Sequence, residues 1–142
     1  PRDRATPAVL RALRRGDVVG LLIDQDTRVQ GTFVDFFGQP AYTPVGPAVI
    51  ALRTDAPVVP MAIHRQPDDT HLITVLPPIE PVRSGRWDED MHEATRRYTG
   101  AIERLIRQAP TQWVWMHERW KTKPAKDGGQ GSGKHGFLRA RE

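Results

Sequence analysis

The run Val18-Val-Gly-Leu-Leu-Ile23 carries no polar side chain at any of its six positions. A half-exposed strand alternates apolar and polar residues, so an unbroken run reads as a strand covered on both faces. Covering both faces calls for helices flanking a sheet, and the rest of the chain supplies the matching periods. Pro7 to Arg15 reads as a short helix ending at Gly16, with Val9, Leu10 and Leu13 on one side. Thr32 to Phe37 is a second apolar segment between Gly31 and Gly38. Thr43 to Thr54 reads as a helix with Thr43 as N-cap and Pro44 and Pro47 in its first turn. Pro57 to His64 reads as a strand, Pro67 to Thr70 as a turn, and His71 to Val75 as the antiparallel return. Asp88 to Gln108 has the clearest helical stripe, Met91, Ala94, Tyr98, Ala101/Ile102 and Leu105, with acids at its start and Arg104 and Arg107 near its end. The expected fold is α/β, a mixed β-sheet with flanking helices.

A length of 142 residues suits one domain. We divide it into a body, residues 1–123, and a flexible Gly/Lys-rich tail, residues 124–142, whose Gly-Ser-Gly-Lys lacks the spacing of a phosphate-binding loop. The absence of Cys removes disulfides, thiolate metal sites and a cysteine nucleophile together. The net charge of +4 suggests a nucleic-acid partner until it is located. Residues 121–142 hold six basic and two acidic side chains, whereas residues 1–120 balance 15 Arg against 15 acids. A neutral body with no basic stripe argues against nucleic acid. No stretch reaches the length of a membrane span, and no signal-peptide core is present.

The segment Ile23-Asp24-Gln-Asp26-Thr-Arg28 places two carboxylates and a guanidinium just past the expected buried strand, the edge where α/β sheets bind ligands. Asp26 and Arg28 pairing on the surface is the plainer alternative. Phe33, Phe36 and Phe37 crowd five positions, either lining a groove for a hydrocarbon chain or, the reading we prefer, filling the core. The helix start at Thr43 offers free N–H groups to an anion, as every helix start does. His64 and Asp69 fit H-x-x-x-x-D, a spacing that serves as a base and its orienting acid, but a turn separates them and we take the pair as a decoy. No His and carboxylate spacing points to a metal, and no cofactor is expected. Gln112-Trp-Val-Trp-Met-His-Glu-Arg-Trp-Lys121 reads first as a C-terminal strand closing the core, with a membrane-interface element and a stacking surface as the alternatives.

In order along the chain, Asp24-Gln-Asp-(x4)-Gly31-Thr-Phe-Val-Asp-Phe-Phe-Gly-Gln-Pro-Ala-Tyr-Thr43-Pro, Ala56-Pro-Val-Val-Pro60 and Gln112-Trp-Val-Trp-Met-His-Glu-Arg-Trp-Lys resemble the lipid A biosynthesis lauroyl/myristoyl acyltransferase family, within the wider lysophospholipid acyltransferases. The resemblance covers about residues 5–123 and implies a partial glycerolipid-acyltransferase-like domain. It implies transfer of an acyl chain from a thioester, usually on acyl carrier protein, to a hydroxyl of a glycolipid such as a lipid A precursor. The family works at the cytoplasmic face of the inner membrane. Its His–acid motif lies upstream of the matching segments and is missing here, so the chain is expected to be a C-terminal portion, inactive alone. Carried over by position, Asp24, Asp26 and Arg28 border the acceptor site, with Arg28 on an anionic headgroup. Phe33, Phe36, Phe37 and Gly38 match the stretch G-x-F-V-x-F-F-G, and Thr43 follows it as a further substrate-side residue.

Overall fold

In the computed structural model, residues 5–125 are described. The tail expected over 124–142 lies, from residue 126 on, outside them. Helix α1 (Ala5–Arg14) comes first. It ends as its sequence predicts, with Gly16 at φ 85°. The Gly16 N–H reaches the Leu13 carbonyl at 3.0 Å and the Asp17 N–H the Ala12 carbonyl at 3.1 Å, which uses up two carbonyls of the last turn.

Strands β1 (Gly31–Phe36) and β2 (Gln39–Pro44) form an antiparallel hairpin. Phe37 and Gly38 make its two-residue turn, with φ of 55° and 76°. Positive φ at both positions matches the twist of the flanking strands, which is why such turns favour Gly. Gly31 faces Pro44 at the open end, where an added Cβ would lie 2.6 Å from the Thr43 carbonyl oxygen.

Helix α2 spans Gly46–Thr54 and begins after Val45, with Pro47 in the first turn. Thr43 is therefore not its N-cap. The pairing of Thr32 with Thr43 holds that residue in the ladder, so the helix cap falls at Val45, two residues later than its sequence suggests. Small side chains, Ala48 and Ala51, let α2 approach α3 (Trp87–Gln108), where Ala94, Tyr98 and Ala101 complete one apolar cluster. The α3 stripe expected from the sequence is buried at Met91, Ala94, Tyr98, Ala101 and Leu105. At its start, the Ser84 N–H and hydroxyl donate to Asp90 at 2.9 and 2.7 Å.

Strands β3 (Met61–Arg65) and β4 (His71–Val75) form a second antiparallel hairpin, extended by a bridge between Val58 and Ile79. The ladder begins at Met61, later than Pro57, because prolines 57 and 60 lack the N–H a ladder needs. A 3-10 turn, Pro110–Gln112, closes α3. The fold is α/β as expected, three helices with strands that pair as two antiparallel hairpins among the described residues.

The largest correction concerns Val18 to Ile23. The segment is in no strand, and Val18 and Leu22 are 96% and 89% exposed. A strand covered on both faces needs neighbours on both edges and layers above and below, and the described residues supply neither.

Candidate functional site

The two carboxylates after Ile23 hold down the returning C-terminal segment. Asp24 accepts a 3.0 Å hydrogen bond from the Trp113 indole N–H, 89 residues away. Asp26, buried, accepts from the Thr122 backbone N–H and hydroxyl, both at 2.9 Å. Between these ties the Gln25 amide stands 3.5 Å from the His117 imidazole. The first half of the loop 24–28 is thus fastened to residues 113–122. Asp26 and Arg28 form no ion pair with each other. Arg28 is exposed and has no hydrogen-bond or ion-pair partner among the described residues.

Beneath the loop lies Arg119, 1% exposed. Its guanidinium donates to the Tyr42 carbonyl at 2.7 Å and to the Thr43 hydroxyl at 2.5 Å, and its plane covers the Phe36 ring at 5.0 Å. Burial pulls Arg119 below its ordinary value, while the carboxylates of Asp26 and Asp24 push the other way. A guanidinium starts so high that it stays charged. The balance is a buried cation held opposite two anchored carboxylates, with a carbonyl and a hydroxyl accepting from its two terminal nitrogens and its Nε–H without a partner among the described residues. No local sequence signal marks Arg119, because its partners lie more than seventy residues away in chain order.

The three phenylalanines separate. Phe36 is core, packed against Phe37, Trp113 and Trp120. Phe33 is half-buried and edges onto Tyr42 at 5.3 Å. Phe37, at the hairpin tip, stacks with Trp115 and lies under the Arg107 guanidinium at 4.7 Å. Its N–H donates to Glu103 on α3 at 2.8 Å. Burial raises the Glu103 carboxyl, but that bond and Arg107 outweigh it and leave the group below its ordinary value. Gly38 is exposed and donates to Asp35 at 3.0 Å. Thr43 is buried, its hydroxyl shared between Arg119 and the Ala41 carbonyl. The tryptophan segment forms turns instead of a strand, with Trp113 and Trp115 edge to face at 4.5 Å.

His64 and Asp69 part company. His64 is buried on β3, while Asp69, at φ 65° on the hairpin tip, takes two bonds from Arg65 at 3.0 and 2.6 Å. His64 instead forms part of the wall of an open cleft of about 190 Å³, with Asp24, Trp113 and apolar residues of the segment 21–23 and of β3. Among the described residues no group of three His, Asp or Glu is placed to hold a metal ion, and no helix is long and apolar enough to cross a membrane.

The loop 24–28, with its two acids and an arginine unpaired among the described residues, is thus strapped to an α/β core by a tryptophan-rich return. A model described as Bacterial lipid A biosynthesis acyltransferase matches residues 1–122, and the chain belongs to that family. It is 30% identical over 120 residues to the lipid A biosynthesis lauroyltransferase of Escherichia coli, a match covering 82% of this chain and 38% of that enzyme. It is 28% identical over 119 residues to the lipid A biosynthesis palmitoleoyltransferase of the same organism, covering 82% and 37%. A shorter match, 46% over 48 residues, joins 34% of the chain to 15% of the phosphatidylinositol mannoside acyltransferase of Mycobacterium tuberculosis. The chain therefore spans well under half the length of the relatives it matches.

Proposed function

We propose that this chain is the acceptor-side portion of an enzyme that moves a fatty acyl chain from a thioester, on acyl carrier protein, to a hydroxyl of a glycolipid. The carrying observation is the loop 24–28. Asp24 and Asp26 spend their carboxylates on Trp113 and Thr122, which leaves Arg28 as the loop's one exposed charge without a partner among the described residues. A fixed loop presenting a lone guanidinium suits the anionic headgroup of a lipid A precursor. The relatives' names, which pair acyl transfer with lipid A and with a mannosylated phosphatidylinositol, support a glycolipid acceptor.

The chemistry needs a base to take the acceptor hydroxyl's proton as its oxygen attacks the thioester carbonyl; the thiolate then leaves. His64 and Asp69 do not pair, so this base belongs to the part of the enzyme outside the matched length. The site faces the cytoplasmic side of the inner membrane, where acyl donor and lipid acceptor meet. The test is acyl transfer from acyl–acyl carrier protein to a lipid A precursor. The chain alone should be inactive, and joining it to a polypeptide bearing a paired H-x-x-x-x-[DE] motif should give turnover. Turnover by the chain alone that His64→Ala abolishes would overturn this assignment.

In the joined enzyme, Arg28→Ala should raise the acceptor KM at least about tenfold, as expected for a lost hydrogen bond to a charged group. Stability should stay within about 0.5 kcal/mol, because the side chain is exposed. An unchanged KM would remove Arg28 from the site. A second reading, a non-catalytic lipid-binding domain, rests on exposed Trp115 and Met116. Vesicle flotation independent of acyl donor, without turnover in any joined form, would favour it.

A further inference from the structure

Strand β3 has one paired edge and one open edge, and the hydrogen bonds show which residues face each. The Pro60 carbonyl accepts from Leu76 and the Gln66 N–H donates to Thr70, both across the β3–β4 hairpin. Even-numbered positions therefore bond inward to β4. In an antiparallel ladder the alternate residues turn their N–H and C=O the other way. Arg65 confirms this, since its outward N–H and C=O are taken by the Gln112 side-chain amide at 2.8 and 3.0 Å. Met61 and Ile63 must then present their backbone groups to the same open edge. That edge borders the cleft of about 190 Å³, and across the cleft runs the segment 21–24.

The segment has the same deficiency. Between Val18 and Asp26 no backbone group bonds another backbone group among the described residues. Its side chains are stranded too: Leu21 and Leu22 are exposed, as are Met61 and Ile63 on β3 and Ile73 and Val75 on β4. The open edge of β3 and an apolar segment without backbone partners thus line one gap.

We infer that this gap is a strand-acceptor groove, filled in the assembled enzyme by an extended segment from the part of the acyltransferase outside this chain. The inference rests on the reading of the chain as one portion of a longer enzyme. More than half the length of the matched lauroyltransferase lies outside the match, ample for such a segment. A lipid surface would cover the exposed leucines and isoleucines but leave the outward backbone groups without partners, which is costly away from water. A strand satisfies both needs at once. Gln112 marks where the added strand stops, because its amide already occupies the edge at Arg65.

Amide hydrogen exchange tests this residue by residue. In the 142-residue chain alone, the Met61 and Ile63 amides and those of 18–23 should exchange fast, and Ala62 and His64 slowly. Adding the remaining polypeptide of the Escherichia coli lauroyltransferase should slow the first group at least about tenfold and leave the second unchanged. Ile63→Pro removes one outward N–H while sparing the β4 ladder, so it should abolish the slowing. A chimera with this chain in place of the matched 120 residues of that enzyme gives the same readout by a second route.

Fast exchange at 61 and 63 in both mixture and chimera overturns the inference. So does slow exchange in the free chain, whether 18–23 closes onto β3 or a second copy fills the groove. Slowing produced by anionic phospholipid vesicles instead of the polypeptide overturns it as well. Acyl transfer measured on the same samples separates the two readings. Slowing without transfer retains the groove and sinks the activity; transfer without slowing does the reverse.

Discussion

A buried guanidinium is tolerable only when its hydrogen bonds and counter-charges come from groups that cannot drift away. Arg119 meets that condition at its two terminal nitrogens, through the Tyr42 carbonyl and the Thr43 hydroxyl, with the Phe36 face against it and Asp24 and Asp26 nearby; its Nε–H has no partner among the described residues. Arg119→Met should therefore cost about 3 kcal/mol in urea unfolding, since it leaves the buried Tyr42 carbonyl without its side-chain donor, removes a bond to the Thr43 hydroxyl and takes the counter-charge away from Asp24 and Asp26. Arg119→Lys should recover little of that, because one ammonium cannot reproduce the fork that meets two acceptors. A loss below 1 kcal/mol for the methionine variant, on the order of one neutral hydrogen bond, would show the network to be dispensable. Gly31 is the other residue with no slack. Its hydrogen faces the Thr43 carbonyl oxygen, and Gly31→Ala would force a contact at 2.6 Å. The expected loss is about 2 kcal/mol, as for other overpacked positions.

The elements are joined by ties that a pH titration can read. The tip of the β1–β2 hairpin is locked to α3 through Glu103, and the start of α3 is locked to Ser84 through Asp90. The Ser84 N–H and hydroxyl hold Asp90 below its ordinary value of 3.8. Glu103 lies below its ordinary 4.5 once burial is outweighed by Phe37 and Arg107. Depressed carboxyl values mean that the unfolded chain takes up protons first. Their stabilisation is complete above the ordinary carboxylate range and disappears as the pH falls through the lower, folded values. Glu103→Gln should flatten this acid limb, measured as urea midpoint against pH; an unchanged limb would show that the lock carries no proton-linked stability. Elements of this kind are legible in sequence where one segment decides its own state. The α3 stripe, the Gly16 stop and the Pro67–Thr70 turn are all local patterns, and all three form where expected. Thr43 misleads because a ladder partner and a buried arginine claim it before a helix start can. Asp24 and Asp26 stand out in the sequence, but the partners they bond lie 89 and 96 residues on, beyond any periodicity.

At the scale of the whole molecule, the run that most suggested a buried strand is one the chain leaves mostly exposed, with Ile23 packed against the core. Burying six apolar positions contributes only if something covers them, and the free energy comes from the cover as much as from the run. Leu22 at 89% exposure and Ile63 at 61% contribute almost nothing to this chain's own core. The double variant Leu22→Ser with Ile63→Ser should thus shift the unfolding free energy of the 142-residue chain by no more than about 0.5 kcal/mol. In the chimera that restores the rest of the enzyme, the same two changes fall on a filled groove and should cost more than about 2 kcal/mol, the scale of buried aliphatic truncations. Equal effects in both settings would mean that the apolar run is solvent-facing in the enzyme too. A large loss in the chain alone would mean that it is already covered there.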